Sequence, residues 1–487
     1  MHHDEGVNGF FLTNLVRNGI YKYDPSNYHG PTLYYLTLPS IVLFGLSTFA
    51  VRLVTALFGI ATVALILGLR RHLGTIGALF AAALLAVSPG SVFYSRYFIH
   101  EELFVFFTVG IVVAVLYFFE TRRARYLMLA CASAALLFAT KETAFVSVIT
   151  LLLSWLVVKI VAGASFNSGG IFLNRPRGRS GTPPRAVANA LGKSTRVQLS
   201  IAAAVILFIF LNVIFYSSFF SNWQGVSDSL AAFKIWSKTG TSEFHAKPIG
   251  TYLGWLWQEE APILILAVAG SLIALFEVRK NRFAIFAGAW AFGLLAAYSF
   301  IRYKTPWLML SFIAPMAIAG GYALQILWRR RVGNWQVPLA APIFILAILI
   351  SSYQTIVLNF RQYDNDQYVY VYSHTHREAQ ALVDKVNELA QREGNNQIGV
   401  NIAAPEYWPL PWYFRNNPSV GFSGYLADRY DPKATPLVIV RESADEKEDQ
   451  VRKLRSEVGT SYQEVGVYSL RPGVRLALFA RSDLAGG

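Results

Sequence analysis

Apolar stretches long enough, or nearly so, to cross a bilayer recur over the first 360 residues, separated by short charged breaks. They predict ten spans, at 49–69, 76–94, 102–119, 126–140, 143–161, 199–220, 261–278, 283–301, 311–328 and 337–358. The run 31–45 is shorter, contains Pro39 and ends at Gly45. It predicts an interfacial or re-entrant helix, because a crossing there would reverse every later assignment. Ahead of it, Val7, Phe10, Phe11 and Leu15 predict an amphipathic helix lying on a membrane surface. After Phe360 the pattern changes. Residues 378–392 put Ala379, Leu382, Val383, Val386 and Leu389 on one helical face. Runs at 397–403, 436–440, 466–470 and 475–480 predict strands, and 445–457 predicts a second helix.

Composition agrees with that division. The 487 residues are 54% hydrophobic and only 15% charged, against about 25% charged for a soluble domain. The fold class is therefore a polytopic α-helical membrane protein with a small C-terminal α/β domain, divided at 1–360 and 361–487. The net charge of +14 lies in clusters between apolar runs and comes with no nucleic-acid motif, so nucleic acid is excluded as a partner. Alternate loops orient the chain. One set, which includes Arg70, Arg71, Arg122, Arg123 and a Gly/Ser/Pro/Arg-rich loop at 162–198, carries 18 Lys and Arg. The other carries 11, so the first set is cytoplasmic. Ten crossings from an outside start leave residues 361–487 extracytoplasmic. Asp4, Glu5, Asp24, Glu101, Glu102, Glu142, Glu259 and Glu260 gather on that same outer side. The one cysteine, Cys131, lies in an apolar run and reads as a packing residue.

The candidate chemistry sits in the outer loops. His2-His3-Asp4-Glu5 places two carboxylates beside histidines just before membrane sequence. An acid buried unpaired in lipid is costly, so this pair must face water, a cavity or a ligand. The bland alternative is a solvated tail. Ser95 to Glu102 brings a second acidic pair, Glu101 and Glu102, with His100 and Arg96. First-turn charges on the following span would account for one glutamate better than for two. Lys141 opposes the charge rule and needs a partner, either Glu142 or an anionic ligand. Arg302 and Lys304 are a second basic exception, with interfacial anchoring as the bland reading. Cations on an acidic face suit a phosphate or pyrophosphate. Replacing Lys141 with Met is expected to weaken lipid-phosphate binding with little loss of fold.

His-His-Asp-Glu at 2–5, with Tyr-Lys-Tyr-Asp-Pro at 21–25 and Tyr-His-Gly-Pro-Thr-Leu-Tyr-Tyr at 28–35, resembles the first outer loop of GT-C membrane glycosyltransferases. Protein O-mannosyltransferases and the lipid A aminoarabinose transferase belong to that superfamily. Thr-Lys-Glu at 140–142, Tyr-Lys-Thr-Pro-Trp at 303–307 and Pro-Leu-Pro-Trp-Tyr-Phe-Arg at 409–415 are similar to a prokaryotic subfamily associated with lipid-linked oligosaccharide flipping. The resemblance implies sugar transfer from a polyprenyl-phosphate donor to an envelope or protein acceptor at the outer face of a prokaryotic cytoplasmic membrane. It implies catalytic roles for Asp4 and Glu5, and a second acidic site at Glu101 and Glu102, where relatives often carry aspartate. The metal is left unassigned, with Glu101 and Glu102 the candidates to hold a divalent cation. Lys141, Arg302 and Lys304 would bind the donor phosphate. His29, Trp408, Trp412 and Tyr413 would bind the acceptor sugar, a hydrophobic core being the bland reading of the three aromatics. The superfamily carries a span before its Asp-Glu motif, which predicts an upstream extension of the reading frame. The rival class is a non-catalytic accessory subunit of a membrane complex with the same fold. A transporter fits less well, since the charges gather at one face rather than at the midplane.

Overall fold

The structure, a computed structural model, describes residues 1–27, 29–161, 195–239, 246–277, 281–332, 335–426, 431–443, 451–452, 454–455 and 461–486. It forms two compact units: Asn18–Arg361, and Met1–Arg17 together with Gln362–Gly487.

Helices fill the first unit. Among the described residues seven are long and apolar enough to cross a membrane: Thr48–Leu73, Glu101–Thr121, Ala144–Val161, Gln198–Tyr216, Arg282–Phe300, Pro306–Trp328 and Ala340–Arg361. The chain is a multi-span membrane protein. Every expected span coincides with a helix, although three fall short of a straight crossing. The 126–140 run is Ala124–Phe138, of 15 residues. The other two are bent pairs, Thr75–Ala86 with Pro89–Ser95 at 60° and Thr251–Glu259 with Ala261–Phe276 at 112°. The short run 31–45 forms the 13-residue helix Thr32–Phe44. Most of the 162–198 loop, residues 162–194, lies outside the described residues.

Pro306–Trp328 is the hub of this unit, buried along almost its whole length. Small residues let its neighbours approach. A Cβ at Gly270 would lie 2.0 Å from the Ala319 carbonyl oxygen, and one at Gly321 would lie 2.4 Å from the Gly77 carbonyl oxygen. Close backbone approach at glycine is how apolar helices gain dispersion contact without a hydrophobic driving force between them. The two bends also meet. Glu260, at the break of one pair, accepts from Ser88 Oγ at 2.7 Å and from the Gly90 N–H at 2.9 Å, at the break of the other.

In the second unit, Glu378–Arg392 is helical with the expected apolar face buried. Among the described residues five strands form one sheet, in the spatial order Val420–Ser423, Val400–Ala403, Leu437–Glu442, Val474–Arg481, Tyr462–Arg471. The first three run parallel and the last two pair antiparallel. Ile402, Leu437, Ile439, Leu476 and Leu478 pack on one face with Leu382 and Leu389 of the helix, while Val438, Val440 and Phe479 face the other side. The expected 445–457 helix lies mostly outside the described residues. Helix His3–Asn18 begins here too, so Met1–Arg17 groups with the sheet, where the sequence reading grouped residues 1–30 with the spans. The physical reason lies in two glycines. A Cβ at Gly6 would be 2.6 Å from Pro409 Cβ, and one at Gly9 would be 2.5 Å from Trp412 Cε3. One turn apart, they give the helix a flat side on which the 408–412 segment rests.

Candidate active site

In the membrane unit a buried ionic cluster is built on Gly30. Its N–H donates to the Thr140 carbonyl at 3.0 Å, and the Thr32 N–H donates to the Ala139 carbonyl at 3.1 Å. A Cβ at Gly30 would sit 2.0 Å from the Ala139 carbonyl oxygen, so only glycine lets the 29–32 segment lie on the turn between Ala124–Phe138 and Ala144–Val161. That turn presents Lys141 and Glu142. Lys141 Nζ donates to Glu101 Oε1 at 2.5 Å, with both side chains under a tenth exposed. Burial alone would push the Lys141 pKa down, but the Glu101 and Glu142 carboxylates outweigh it and hold the ammonium above its ordinary value. Lys141 is therefore charged, and its partner is Glu101 rather than Glu142. Glu142 instead pairs with His29 Nδ1, at 3.0 Å. The His29 ring lies 4.9 Å from that of His100, whose Nε2 meets the Gly30 carbonyl at 3.2 Å.

Glu101 and Glu102 part company, as neighbours on a helix must. Glu102 is 4% exposed, and its Oε1 has no hydrogen-bond partner among the described residues. It lines a mostly apolar cavity of about 370 Å³ with Gly59, Val63, Ser95 and Val105. Among the described residues no group of three or more His, Cys, Asp and Glu is placed to hold a metal ion. Arg302 is exposed, whereas Lys304 is 1% exposed and donates to the Ile301 carbonyl at 2.6 Å. Burial lowers the Lys304 pKa.

The other unit holds the first acidic pair. Glu5 is fully buried, and its Oε2 accepts from the His2 N–H at 2.7 Å. This carboxylate reaches back from the first turn to the residue ahead of the helix, as in half of a capping box. Asp4 stays accessible, with a side chain 37% exposed and Oδ1 at 2.9 Å from His3 Nδ1. His2 Nδ1 faces the Asp4 N–H at 3.3 Å and its Nε2 faces the Tyr372 carbonyl at 2.9 Å. Those contacts fit a neutral ring with its proton on Nε2. Burial lowers the His2 pKa, with Asp4 opposing. Farther along, Trp412 is buried on Gly9, Trp408 and Tyr413 are half-buried, and the Arg415 guanidinium lies 4.2 Å over the Trp412 ring.

The family model described as dolichyl-phosphate-mannose-protein mannosyltransferase matches residues 28–173, the stretch that supplies His29, Glu101, Glu102, Lys141 and Glu142. Among solved structures, the chain is similar to ArnT from Cupriavidus metallidurans, in the apo state and bound to undecaprenyl phosphate. Identity is 15% in both, 99% of this chain and 94% of that one are covered, and the TM-scores are 0.62 and 0.60. It is also similar to the Archaeoglobus fulgidus oligosaccharyltransferase tethered to an acceptor peptide, at 14% identity and a TM-score of 0.56, over 95% of this chain and 65% of that one. The chain has the GT-C fold. No curated protein matches the sequence.

The motifs expected of a GT-C chain thus separate into two groups. Glu101, Lys141, Glu142 and His29 come together in the membrane unit; Asp4, Glu5, Trp408, Trp412 and Tyr413 belong to the other. His29, expected as an acceptor contact, pairs with Glu142 in this structure. His100, already part of the second acidic motif, joins this cluster, and Gly30 completes it without having been expected as a site residue. The Gly-Pro at 30–31 was its available signal, since a glycine before proline marks a tight backbone approach.

Proposed function

We propose that the chain is a membrane glycosyltransferase that moves a sugar from a polyprenyl-phosphate donor to an envelope or protein acceptor. The observation that carries this reading is the buried cluster of Lys141, Glu101, Glu142 and His29, which falls wholly within the stretch matched by the mannosyltransferase family model. The GT-C fold shared with an ArnT structure that holds undecaprenyl phosphate supports it. The basic bias of alternate loops supports an outer-side location for residues 361–487, in line with transfer at the outer face of a prokaryotic cytoplasmic membrane.

In the transfer, the bond between the anomeric carbon and the phosphate oxygen breaks. The polyprenyl phosphate leaves with the electron pair, and the acceptor hydroxyl attacks while losing its proton. Asp4, which is accessible, takes that proton; Glu5 is held by its helix cap and positions Asp4. The departing phosphate gathers charge that a cation stabilises. At 302–304 the exposed Arg302 suits this better than Lys304, whose ammonium is already turned onto a carbonyl. Lys141 can reach a phosphate only by exchanging Glu101 for it. The deciding measurement is transfer of radiolabelled sugar from a panel of polyprenyl-phosphate donors to envelope acceptors, comparing wild type with Asp4→Asn. A loss of about 10²–10⁴-fold is expected. Equal transfer by the variant removes Asp4 from the mechanism. No transfer by wild type with any donor, with Asp4→Asn disrupting a complex, returns the chain to the scaffold class.

A further inference from the structure

A second cavity, of about 750 Å³, lies wholly within the unit formed by Met1–Arg17 and Gln362–Gly487. That volume falls inside the range of about 300–1,000 Å³ usual for small-molecule sites. Its wall includes Asn14, Arg17, Tyr407, Trp408, Arg415 and Phe422. Among the described residues, two guanidiniums and four side-chain amides line it, and no carboxylate does. The aromatic rings form a connected surface. The Tyr407 ring lies 5.1 Å from Phe422 and 5.3 Å from Trp408, and Trp408 meets Phe10 edge-on at 5.8 Å. The cations are held in place. Arg415 stacks 4.2 Å over the Trp412 ring and donates to the Trp412 carbonyl at 2.6 Å, while the Arg17 guanidinium donates to the Arg415 carbonyl.

We infer that this cavity binds an anionic saccharide, one carrying a carboxylate or a phosphate, as the acceptor of the transfer proposed above. The inference rests on that reading for the word acceptor, but not for the binding itself. Each part of the wall answers one part of such a ligand. Aromatic faces cover the C–H side of a sugar ring. The amides meet hydroxyls as both donors and acceptors. The two guanidiniums bring positive charge to the wall, favour a negative substituent and offer it a bidentate fork. A neutral sugar makes no use of that charge.

The test is calorimetric titration of the full-length protein in nanodiscs with three tetrasaccharides: tetragalacturonate, mannotetraose bearing one phosphate monoester, and neutral mannotetraose. At least one anionic probe is expected to bind about ten-fold tighter than the neutral one, the equivalent of one charge-assisted contact. The preference should shrink as salt rises. The anionic arm that binds identifies the substituent. Arg17→Ala, at an exposed position where the fold loses little, should remove most of the preference, and Trp408→Ala should remove binding of every probe. Equal affinity for the neutral probe, binding of none of the three, or an undiminished preference in Arg17→Ala overturns the inference. Donor consumption by the wild type is read in the same preparation. Turnover without saccharide binding removes this inference and leaves the glycosyltransferase standing; saccharide binding without turnover does the opposite.

Discussion

Lys141 shows how one contact changes the meaning of a residue. Its apolar stem suggested that methionine could replace it cheaply, but the ammonium is paired with Glu101 out of water. Removing one member of a buried ion pair strands the other, at about 3–5 kcal/mol. Lys141→Met should therefore lower the thermal midpoint of the solubilised protein markedly. The double variant Lys141→Met/Glu101→Gln should recover most of the loss, and an additive double variant would show that the pair is not coupled. His2 carries a prediction in pH. Burial lowers its pKa below the ordinary 6.5, so the unfolded chain takes up a proton that the folded chain refuses. Its stabilising contribution is present above pH 6.5 and is lost as pH falls through the folded value. Chemical denaturation from pH 7 to pH 5 should show a fall in stability that His2→Gln reduces; an identical profile in the variant would exclude His2 as its source. None of these partners was legible from the sequence. Glu101 and Lys141 are 40 residues apart, and His29 and Glu142 are 113 apart. The pattern identified which residues needed partners, because a charge between apolar runs is costly, but spacing along the chain could not say which ones they find.

Helices were legible where a strong period repeats over several turns. The 378–392 helix was placed to the residue because five apolar positions share one face. The strand Val420–Ser423 was missed: it is four residues long, includes Gly421 and Phe422 and follows Pro418, so no alternation develops. The bends were missed for a different reason. Hydropathy measures how apolar a run is, and the sharp turn at Glu260 leaves the flanking runs apolar. The N-terminal helix was expected from its apolar positions, but its packing partner is set by Gly6 and Gly9, which hydropathy does not weigh. That packing can be tested. Gly9→Ala places a methyl 2.5 Å from the ring of Trp412, a side chain only 2% exposed. Overpacking of this kind costs about 1–3 kcal/mol. Urea unfolding of the full chain followed by tryptophan emission should show the loss, and Trp412→Leu in the same background should relieve part of it. Unchanged stability in Gly9→Ala would mean the helix does not rest on Trp412.

For the molecule as a whole, the sequence already carried the fold class, because bilayer thickness imposes a length that few soluble segments reach by chance. Orientation rests on the basic bias. An epitope at 170–190 should be protected from label in intact cells, and one at 390–395 should be accessible; the reverse would invert the assignment of both faces. The contact of Glu260 with Ser88 and Gly90 has an effect on the same scale. Each bent pair breaks its helical ladder, and a break in a dry interior strands donors that no water can take over. Here a single carboxylate from one break meets the donors of the other. Straightening either helix would pull Glu260 away from Ser88 and Gly90, so the two kinks are latched to each other through one carboxylate.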